Sequence, residues 1–405
     1  MDTPLDNYEG AHCPLFTSGQ CRSCSLLSLP SGTRVTSKLR AVSEVLSPYL
    51  STDLLTSLLK APFIPKRPWG SRAKLKYSVG GTKESPTIGI LSPDYKGIDL
   101  STCPLPGHHI EPFLKACRAW ISEAGVEPYQ VKTRSGLLKG IIILSTAKGD
   151  SAIVRFVVQD RAAFQRYEAS LLTLTAAFPW IKVVTLNVQP LHAAIPEGRE
   201  EIYLSARSRI EERYGALVLS FGAQSFMQVT PEVGAELYRW VAEECRKLGS
   251  NPTTAFSPPP SRALDLFCGV GGFALAISPY VTSVLGIEIS ADAVNAASEN
   301  AARNQSKNAT FLQGDLSLLP TLPDQLHEID TVIVNPPRRG LGSDLCQQLL
   351  ALGSLRYLIY SSCNPNTLAT DLSVLSERFI PQSIRAFDMF PLTKHCEVAV
   401  VLVQK

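Results

Sequence analysis

The sequence predicts an α/β protein with a doubly wound, Rossmann-like domain at the C-terminus, preceded by an α+β region. Two observations predict this class. From residue 263 onward, short β-branched segments alternate with segments of helical length, which is typical of a parallel sheet with helices on both faces. A glycine-rich turn follows the first of these strands at residues 265–273, where folds of this class bind a nucleoside.

The N-terminal half is expected to begin irregularly and then to become regular. The first hundred residues are rich in Cys, Pro, Ser and Gly, a composition that favours loops. Strands and helices alternate from about residue 71 to residue 204, with helical spacing at 160–178. Short β-branched segments predict strands at 140–144, 152–158 and 181–188.

A long helix is predicted to start at Thr230. Thr230 can cap it, Pro231 suits the first helical position, and Gly249 ends it. A Pro/Ser/Thr-rich linker at 250–262 follows and is expected to be an exposed loop.

The C-terminal part is expected to contain five parallel strands and a closing antiparallel hairpin. The parallel strands are predicted at 263–267, 283–287, 310–313, 331–334 and 356–360. The hairpin is predicted from two strand-like segments with a short connection, 382–388 and 397–403. We divide the chain at 1–105, 106–215 and 216–405.

Composition excludes several classes of protein. The chain has 405 residues, 45% of them hydrophobic, and a net charge of +3, so it can bury a core and tolerates a nucleic-acid partner without requiring one. It contains no apolar run of membrane-spanning length, and its first ten residues lack the basic and apolar parts of a signal peptide. We therefore expect a cytoplasmic protein whose ten cysteines are thiols and not a disulfide framework. No motif indicates a membrane or an obligate protein partner.

The glycine-rich turn and the acidic residue after it predict a nucleoside cofactor. Gly269 and Gly271 allow the backbone to approach a ligand closely, and Glu288, 19 residues after Gly269, can accept hydrogen bonds from ribose hydroxyls. The spacing departs from the dinucleotide pattern, and Asp265 before the turn would repel phosphate and suit a cationic amino-acid group. S-adenosylmethionine is therefore favoured over NAD.

Two residues near the same sheet edge suggest covalent catalysis. Cys363 lies beyond the fifth strand in Ser-Ser-Cys-Asn-Pro, a position that by itself fits a small buried residue as well as a nucleophile. A thiolate that adds to C6 of uracil activates C5 for methylation, and a general base must then remove the C5 proton. Glu397 can supply this carboxylate, although alone it would be interpreted as a solvated strand-end acid.

Six ordered motifs in roughly the last 180 residues resemble those of the RNA uracil-5-methyltransferases. They are QSFMQ at 224–228, LDLFCGVGGF at 264–273, GIE at 286–288, VNPPRRG at 334–340, YSSCN at 360–364 and FDMFP at 387–391. Leu392, Cys396 and Thr230 depart from residues common in the family. None of the three is the expected nucleophile or base.

The resemblance implies a class I S-adenosylmethionine-dependent methyltransferase domain in which Cys363 is the nucleophile and Glu397 the base. It also implies cofactor contacts from Gln228, Phe267, Gly269, Glu288, Asp315 and Asn335.

Four N-terminal cysteines, Cys13, Cys21, Cys24 and Cys103, can close a tetrahedral zinc site or a [4Fe–4S] cluster. Within the family, this arrangement with a [4Fe–4S] cluster is a feature of the enzymes that modify large-subunit (23S) ribosomal RNA. The chain is most similar to that type, and the resemblance favours the cluster over zinc. It also implies that residues 1–105 combine the cluster with the start of an RNA-binding domain, and that 106–215 continue that domain.

Basic residues are expected to contact RNA phosphates, in part because alternation places charges on one strand face. They are Arg72, Lys74, Lys76, Lys132, Arg134, Lys139, Arg338 and Arg339. The target base must leave its stack, which fits a single-stranded or loop uridine.

Three alternatives remain open from the sequence. A tRNA uracil-5-methyltransferase would share the chemistry and differ in substrate. A nicotinamide and iron–sulfur oxidoreductase would bind NAD and leave Cys363 and Glu397 without a role. A non-catalytic RNA-binding protein of the same fold would be unaffected by replacement of Cys363.

Overall fold

Two large sheets organise the residues that the computed structural model describes, which are 12–192, 197–248, 259–315 and 328–405. The predicted helix end at Gly249 and most of the predicted linker at 250–262 lie outside these residues. No helix among the described residues is long and apolar enough to cross a membrane.

The N-terminal sheet has seven strands in the order β4-β3-β2-β5-β6-β7-β8. Their bounds are β2 Lys74–Gly81, β3 Pro86–Leu91, β4 Gly97–Asp99, β5 Leu138–Ser145, β6 Ala152–Val158, β7 Ile181–Val188 and β8 Glu200–Tyr203. The β6–β7 pair is parallel and every other pair is antiparallel. The three strands predicted in this region are β5, β6 and β7, so that part of the prediction is confirmed.

Three helices pack against this sheet. They are α4 Ile110–Ala124, α5 Arg161–Phe164 and α6 Glu168–Ala176, with a short 3₁₀ turn between the last two. One face of α4 is apolar and includes Phe113, Leu114 and Trp120, and these side chains join the sheet residues in one buried cluster. The interval predicted as helical at 160–178 is thus helical but interrupted.

The C-terminal sheet has eight strands in the order β1-β16-β17-β15-β14-β11-β12-β13. Their bounds are β1 Leu59–Phe63, β11 Arg262–Leu266, β12 Ser283–Glu288, β13 Ala309–Gln313, β14 Thr331–Val334, β15 Tyr357–Ser362, β16 Phe379–Phe387 and β17 Glu397–Gln404. Only β17 runs antiparallel to its neighbours. The predicted parallel strands and closing hairpin are confirmed, within one or a few residues at each end.

Helices cover both faces of the C-terminal sheet. They are α2 Ser31–Leu46, α3 Thr52–Leu58, α7 Pro231–Lys247, α8 Gly272–Ile277, α9 Ala291–Arg303, α10 Ser343–Ala351 and α11 Pro365–Leu375. A separate hairpin, β9 Arg209–Tyr214 and β10 Leu217–Gly222, lies against α9. Asn300 fixes it there, because its side chain accepts from the backbone of Ser220 at 2.8 Å.

The expectation that the first hundred residues are irregular is wrong for much of that segment. The four-turn helix α2 packs against α11, and β1 extends the C-terminal sheet by pairing with β16. Two basic residues, Arg34 and Lys38, lie on the buried face of α2 and hide its apolar periodicity. Residues 1–105 therefore contribute elements to both sheets. A short helix, α1 Pro14–Thr17, lies between the first two cysteines.

The predicted cap of α7 differs in detail. Thr230 is at the N-cap position, but its side chain makes no capping hydrogen bond. Its hydroxyl donates to the Met389 carbonyl at 2.9 Å instead. The residue therefore ties the start of α7 to the loop that leads into β17.

Candidate active site

Two adjoining cavities lie at the carboxyl edge of the parallel strands. The outer cavity, about 400 Å³, is lined by Ile289, Asp315, Arg339 and others. The inner cavity, about 460 Å³, is lined by the sulfur and carboxylate groups expected to be catalytic. Phe267, Glu288 and Pro337 line both. A nucleoside with an amino-acid tail can therefore extend through the two, with its ribose beside Glu288.

The turn after β11 adopts backbone conformations that suit a close ligand. Phe267, Gly269 and Gly271 have φ values of 62°, 53° and 87°, and such values are uncommon for a residue with a side chain. The Gly269 N–H donates to one oxygen of Glu288 at 3.2 Å, and the Ser290 N–H donates to the other at 3.0 Å. Glu288 is thus held in one orientation and keeps lone pairs for ribose hydroxyls.

Asp265 does not take the place that the sequence suggested. It is fully buried and lines neither cavity. One of its oxygens accepts from the Ala274 N–H at 2.9 Å, so it caps the first turn of α8. Burial raises the pKa of this carboxyl to about 8. The expectation that Asp265 directly contacts a cationic group of the cofactor is therefore wrong.

Gln228 reaches the inner cavity from the segment before α7. It is buried and hydrogen-bonds Tyr238, which lines the same cavity. A Cβ atom at Gly234 would lie 2.9 Å from the Gln228 side chain, so this glycine makes room for the glutamine. The helix start thus fixes one wall of the inner cavity.

Cys363 and Glu397 both line the inner cavity. Cys363 follows β15 and is half-buried, whereas Glu397 begins β17 and is buried. The Ser361 hydroxyl donates to Glu397 Oε1 at 2.6 Å, and the Asn335 amide donates to the same oxygen at 3.1 Å. Three neighbouring strand ends therefore converge on one carboxylate.

The environment of the two groups sets their protonation. Burial raises the pKa of Glu397 to about 7, against the opposing hydrogen bonds from Ser361 and Asn335. Burial, and then the charge of Glu397, raises the pKa of the Cys363 thiol, while the charge of Arg338 and its hydrogen bond to Cys363 lower it. A carboxylate with a pKa near neutrality suits a general base.

A third cavity, about 320 Å³, also borders Cys363 and is called here the entry cavity. Four of its lining residues are basic or can become so: Lys38, Arg338, Lys394 and His395. Cys363 borders both this cavity and the inner cavity. A nucleotide can therefore place its base beside the thiol and its phosphate near Arg338 and Lys394.

Segments from the N-terminus hold the loop between β16 and β17. Lys38 on α2 donates to Asp388 Oδ1 at 2.5 Å and to the Phe390 carbonyl at 2.8 Å. Lys38 is 4% exposed, so the ion pair is screened from water. The Leu26 N–H donates to the Leu392 carbonyl at 3.0 Å. This loop ends at Glu397, and its position thus depends on residues 350 or more positions earlier in the chain.

Comparisons with known proteins place the chain in a family. A family model described as a methyltransferase domain matches residues 259–376. A protein of Shewanella amazonensis named 23S rRNA (uracil(747)-C(5))-methyltransferase RlmC is 37% identical over 97% of this chain and 98% of its own length. A protein of Actinobacillus pleuropneumoniae with the same name is 37% identical over 97% and 99%. The chain belongs to the RlmC family of RNA uracil-C5-methyltransferases.

A solved structure supports the fold. The Pyrococcus abyssi tRNA (uracil-54, C5)-methyltransferase, determined in complex with S-adenosyl-L-homocysteine, superposes with a TM-score of 0.73 at 22% identity, over 94% of this chain and 85% of that one. The prediction of an S-adenosylmethionine-dependent methyltransferase of this family is thus confirmed. The nicotinamide-dependent redox alternative is not consistent with this family.

The four N-terminal cysteines line a single cavity of about 310 Å³, called here the cysteine cavity. Cys13 and Cys24 are buried, and Cys21 and Cys103 are partly buried. Burial, followed by the other thiols, raises the pKa of Cys24 to about 12, and burial raises that of Cys103 to about 11. The structure therefore brings together cysteines that are up to 90 residues apart in the sequence.

The geometry of these thiols bears on the choice of metal. Among the described residues, no three Cys, His, Asp or Glu side chains lie close enough together to bind one metal ion. A single zinc ion needs four ligands at bonding distance from one point. In a [4Fe–4S] cluster each thiolate binds a different iron and lies farther from the others. The choice of the cluster over zinc stays a prediction that rests on the family resemblance.

The basic residues expected to contact RNA have different environments. Lys139 donates to the carbonyls of Gln189 and Leu191 at 2.7 and 2.8 Å, so it holds a loop. Lys76 is paired with Glu197 at 2.5 Å. Burial lowers the pKa of Lys74 to about 8.

The others remain at surfaces or cavities. Lys132 and Arg134 are exposed on the loop before β5, and Arg72 lines the cysteine cavity. Arg338 lines the inner, entry and cysteine cavities, whereas Arg339 lines the outer cavity. Arg339 therefore lies on the cofactor side of the loop, apart from its neighbour.

Sequence reasoning missed several residues of the site. Ser361 lies in the YSSCN motif, but no role was predicted for it from the sequence. A serine within an apolar strand nevertheless indicates a buried hydrogen bond. Lys38 lies on the apolar face of α2, and a lysine in that place signals a buried ion pair. Tyr238 gave no signal that distinguishes it from an ordinary core residue.

Proposed function

We propose that this chain methylates C5 of a uridine in 23S ribosomal RNA, the one that corresponds to position 747 in the names of its relatives. The observation that carries the proposal is the meeting of Cys363 and Glu397 in the inner cavity, next to the cavity that fits a nucleoside cofactor. An enzyme that modifies ribosomal RNA is expected to act in the cytoplasm.

S-adenosylmethionine supplies the electrophilic methyl group. The groups that fit its binding are Gln228, Phe267, Gly269, Glu288, Asp315 and Asn335, all of which line the inner or the outer cavity. Asn335 also donates to Glu397, so it connects cofactor binding with the base.

The Cys363 thiolate adds to C6 of the uracil, which forms a C–S bond and makes C5 nucleophilic. Burial and the charge of Glu397 raise the pKa of the Cys363 thiol, and Arg338 opposes this rise through its charge and its hydrogen bond, so it favours the thiolate. The same guanidinium lines the entry cavity, through which the extruded nucleotide reaches the thiol.

After C5 has accepted the methyl group, Glu397 removes the C5 proton. The C–S bond then breaks, the C5–C6 double bond forms again, and the thiolate leaves. Because the pKa of Glu397 is about 7, the carboxylate is partly ionised at neutral pH and can hold the proton that it takes.

We assign Cys13, Cys21, Cys24 and Cys103 to a [4Fe–4S] cluster. The cysteine cavity supports this assignment, since all four thiols line it. Methyl transfer needs no electron, and the segment that follows Cys24 contacts the loop before Glu397. The cluster therefore serves to order this segment.

The test is incubation of the protein with labelled S-adenosylmethionine and either unmodified 23S RNA or tRNA, followed by mass mapping of the product. Wild type is compared with Cys363→Ala and with Cys117→Ala, a buried cysteine on α4 far from the inner cavity in sequence and fold. We expect methyl on one uracil C5 of 23S RNA, abolished by Cys363→Ala and retained in Cys117→Ala. Methylation of tRNA alone would show that 23S RNA is not the substrate. If protein that binds the cofactor methylated neither RNA, the proposed function would be wrong.

A further inference from the structure

We infer that a basic groove between the two sheets binds the phosphate backbone of the RNA that flanks the target uridine. This junction groove has a volume of about 820 Å³. The residues that define it are Lys66, Arg67, Trp69, Arg72, His108 and Lys148. The inference rests on the proposed function, because it assigns a second contact region to the same RNA substrate.

The charge of the groove favours a polyanion. Four permanent cations line it, against one carboxylate, Glu232. Glu232 already accepts the backbone N–H of Lys66, at 3.3 and 3.4 Å from its two oxygens. Within the described ranges, no ion pair occupies Lys66, Arg67, Arg72 or Lys148. Such cations are available to replace the counterions of RNA phosphates.

One wall of the groove is a tight turn that packs against the ring of His109. The Gly149 N–H donates to the Thr146 carbonyl at 3.0 Å, and Gly149 has a φ of 71°. A Cβ atom at Gly149 would lie 2.6 Å from the His109 ring, so only glycine lets the turn pack this closely. His109 is itself 3.0 Å from the Ser145 hydroxyl. Lys148, at the turn, therefore projects from an ordered backbone.

The opposite wall is also held by backbone hydrogen bonds. The Gly70 N–H donates to the Pro104 carbonyl at 3.0 Å, and the Arg72 N–H donates to the Leu105 carbonyl at 3.1 Å. Lys66 and Arg67 lie a few residues before Gly70, so the basic segment ends in backbone that these hydrogen bonds hold in place. Because both walls are preorganised, little conformational entropy is lost when a ligand binds.

Two long helices also begin at the groove. Gly107 to His109 immediately precede α4, and Thr230 to Glu232 include the first turn of α7, and all six line the groove. Helix N-termini carry partial positive charge, which adds to the field of the four side-chain cations.

A continuous row of cavities leads from the groove to the nucleophile. Arg72 and Trp69 line both the junction groove and the cysteine cavity. Arg338 and His395 line both the cysteine cavity and the entry cavity, which Cys363 borders. Because the cluster is assigned to the cysteine cavity, RNA that places one nucleotide beside Cys363 would pass over the rim of that cavity, along Arg338 and Arg72, to reach the groove.

The experiment measures RNA affinity as a function of salt for a triple variant of the groove rim, Lys66→Gln, Arg67→Gln and Lys148→Gln. The matched control removes three exposed lysines outside the groove, by Lys83→Gln, Lys96→Gln and Lys307→Gln. Fluorescence anisotropy is recorded with two RNAs: a short stem-loop around the target uridine, and a longer fragment that includes the flanking helices.

We expect the groove variant to bind the long fragment more weakly, by about 10-fold or more at low salt, with the salt slope reduced by about 2 to 3 because each lost phosphate contact removes close to one released ion. The short stem-loop should be bound equally by all three proteins. Affinity for S-adenosylmethionine and the melting temperature should be unchanged, since the three side chains are exposed.

Equal losses in the groove variant and the surface control, or an unchanged slope in the groove variant, would overturn the inference. Photo-cross-linking with thiouridine in the flanking strand gives an independent result, because peptides containing residues 66–72 or 148 should be labelled. If the wild-type protein bound the long RNA without methylating it, the proposed function would be refuted. The comparison of RNA affinity between the wild type and the groove variant would still test the groove, so the two failures can be distinguished.

Discussion

Replacement of Ser361 by alanine should shift the pH dependence of catalysis without removing any group that reacts. Ser361 is fully buried, and its hydroxyl donates to Glu397 at 2.6 Å. This hydrogen bond stabilises the ionised carboxylate and so lowers its pKa, which burial has raised to about 7. Its loss should raise the pKa of Glu397 further.

The magnitude follows from the strength of a hydrogen bond to a charged group, about 1.5 to 3 kcal/mol. At 1.36 kcal/mol per pH unit this corresponds to about 1 to 2 units. The base must be ionised to remove the C5 proton, so the rising limb of the rate profile should move from near pH 7 to about pH 8 to 9. At pH 7 the rate should fall about 5- to 50-fold, and it should recover at higher pH.

The assay is release of tritium from RNA labelled at C5 of uridine, measured in single turnover between pH 5.5 and 9.5. The matched control is Ser383→Ala, which removes another buried serine of the same sheet whose hydroxyl has no hydrogen-bond partner among the described residues. Its profile should coincide with wild type. If Ser361→Ala lowered the rate by the same factor at every pH, the role of this hydrogen bond in setting the pKa of Glu397 would be refuted.

Three further predictions concern the base, the cofactor site and the loop. Glu397→Gln should accumulate a covalent RNA adduct, visible on a denaturing gel, because the C5 proton cannot leave; normal turnover would contradict this role. Glu288→Gln should weaken S-adenosylmethionine binding about 10-fold by calorimetry, since one charged hydrogen bond to ribose is lost; an unchanged Kd would place the ribose elsewhere. Lys38→Met should lower the free energy of unfolding by about 3 kcal/mol in denaturant titration, because Asp388 is left buried and unpaired. Lys96→Met, which breaks an exposed pair, should cost less than about 1 kcal/mol, and equal losses would contradict the argument.

The C-terminal domain could be predicted from the sequence because its determinants are local. Each parallel strand is a short β-branched run bounded by turn residues, and the glycines at 265–273 indicate a tight strand-to-helix turn. The order of the motifs along the chain then placed Cys363 just after β15 and Glu397 at the start of the antiparallel β17, on one edge of the sheet. That part required only the rule that ligands bind at the carboxyl ends of parallel strands.

The N-terminal segment could not be predicted in the same way. The buried face of α2 carries Arg34 and Lys38, and a charged residue on a buried face is stabilised only by a partner that the local sequence does not reveal. For Lys38 this partner is Asp388, 350 positions away. β1 likewise becomes a strand by pairing with β16. Long-range pairing therefore overrode a composition that favours loops.

Local residue patterns were enough to predict the reactive groups: a thiol, a carboxylate and a nucleoside site in a fixed order along a doubly wound sheet. How these groups behave depends on the fold. Burial raises the pKa of Glu397, Ser361 and Asn335 fix its orientation, and Lys38 holds the loop that leads to it. The fold also sets which cations of the described residues are available to a ligand, since Lys76 and Lys139 are engaged within the protein while Lys66, Arg67 and Lys148 line an open groove. Local residue patterns specify reactive groups, whereas protonation and availability depend on neighbours that only the folded chain brings together.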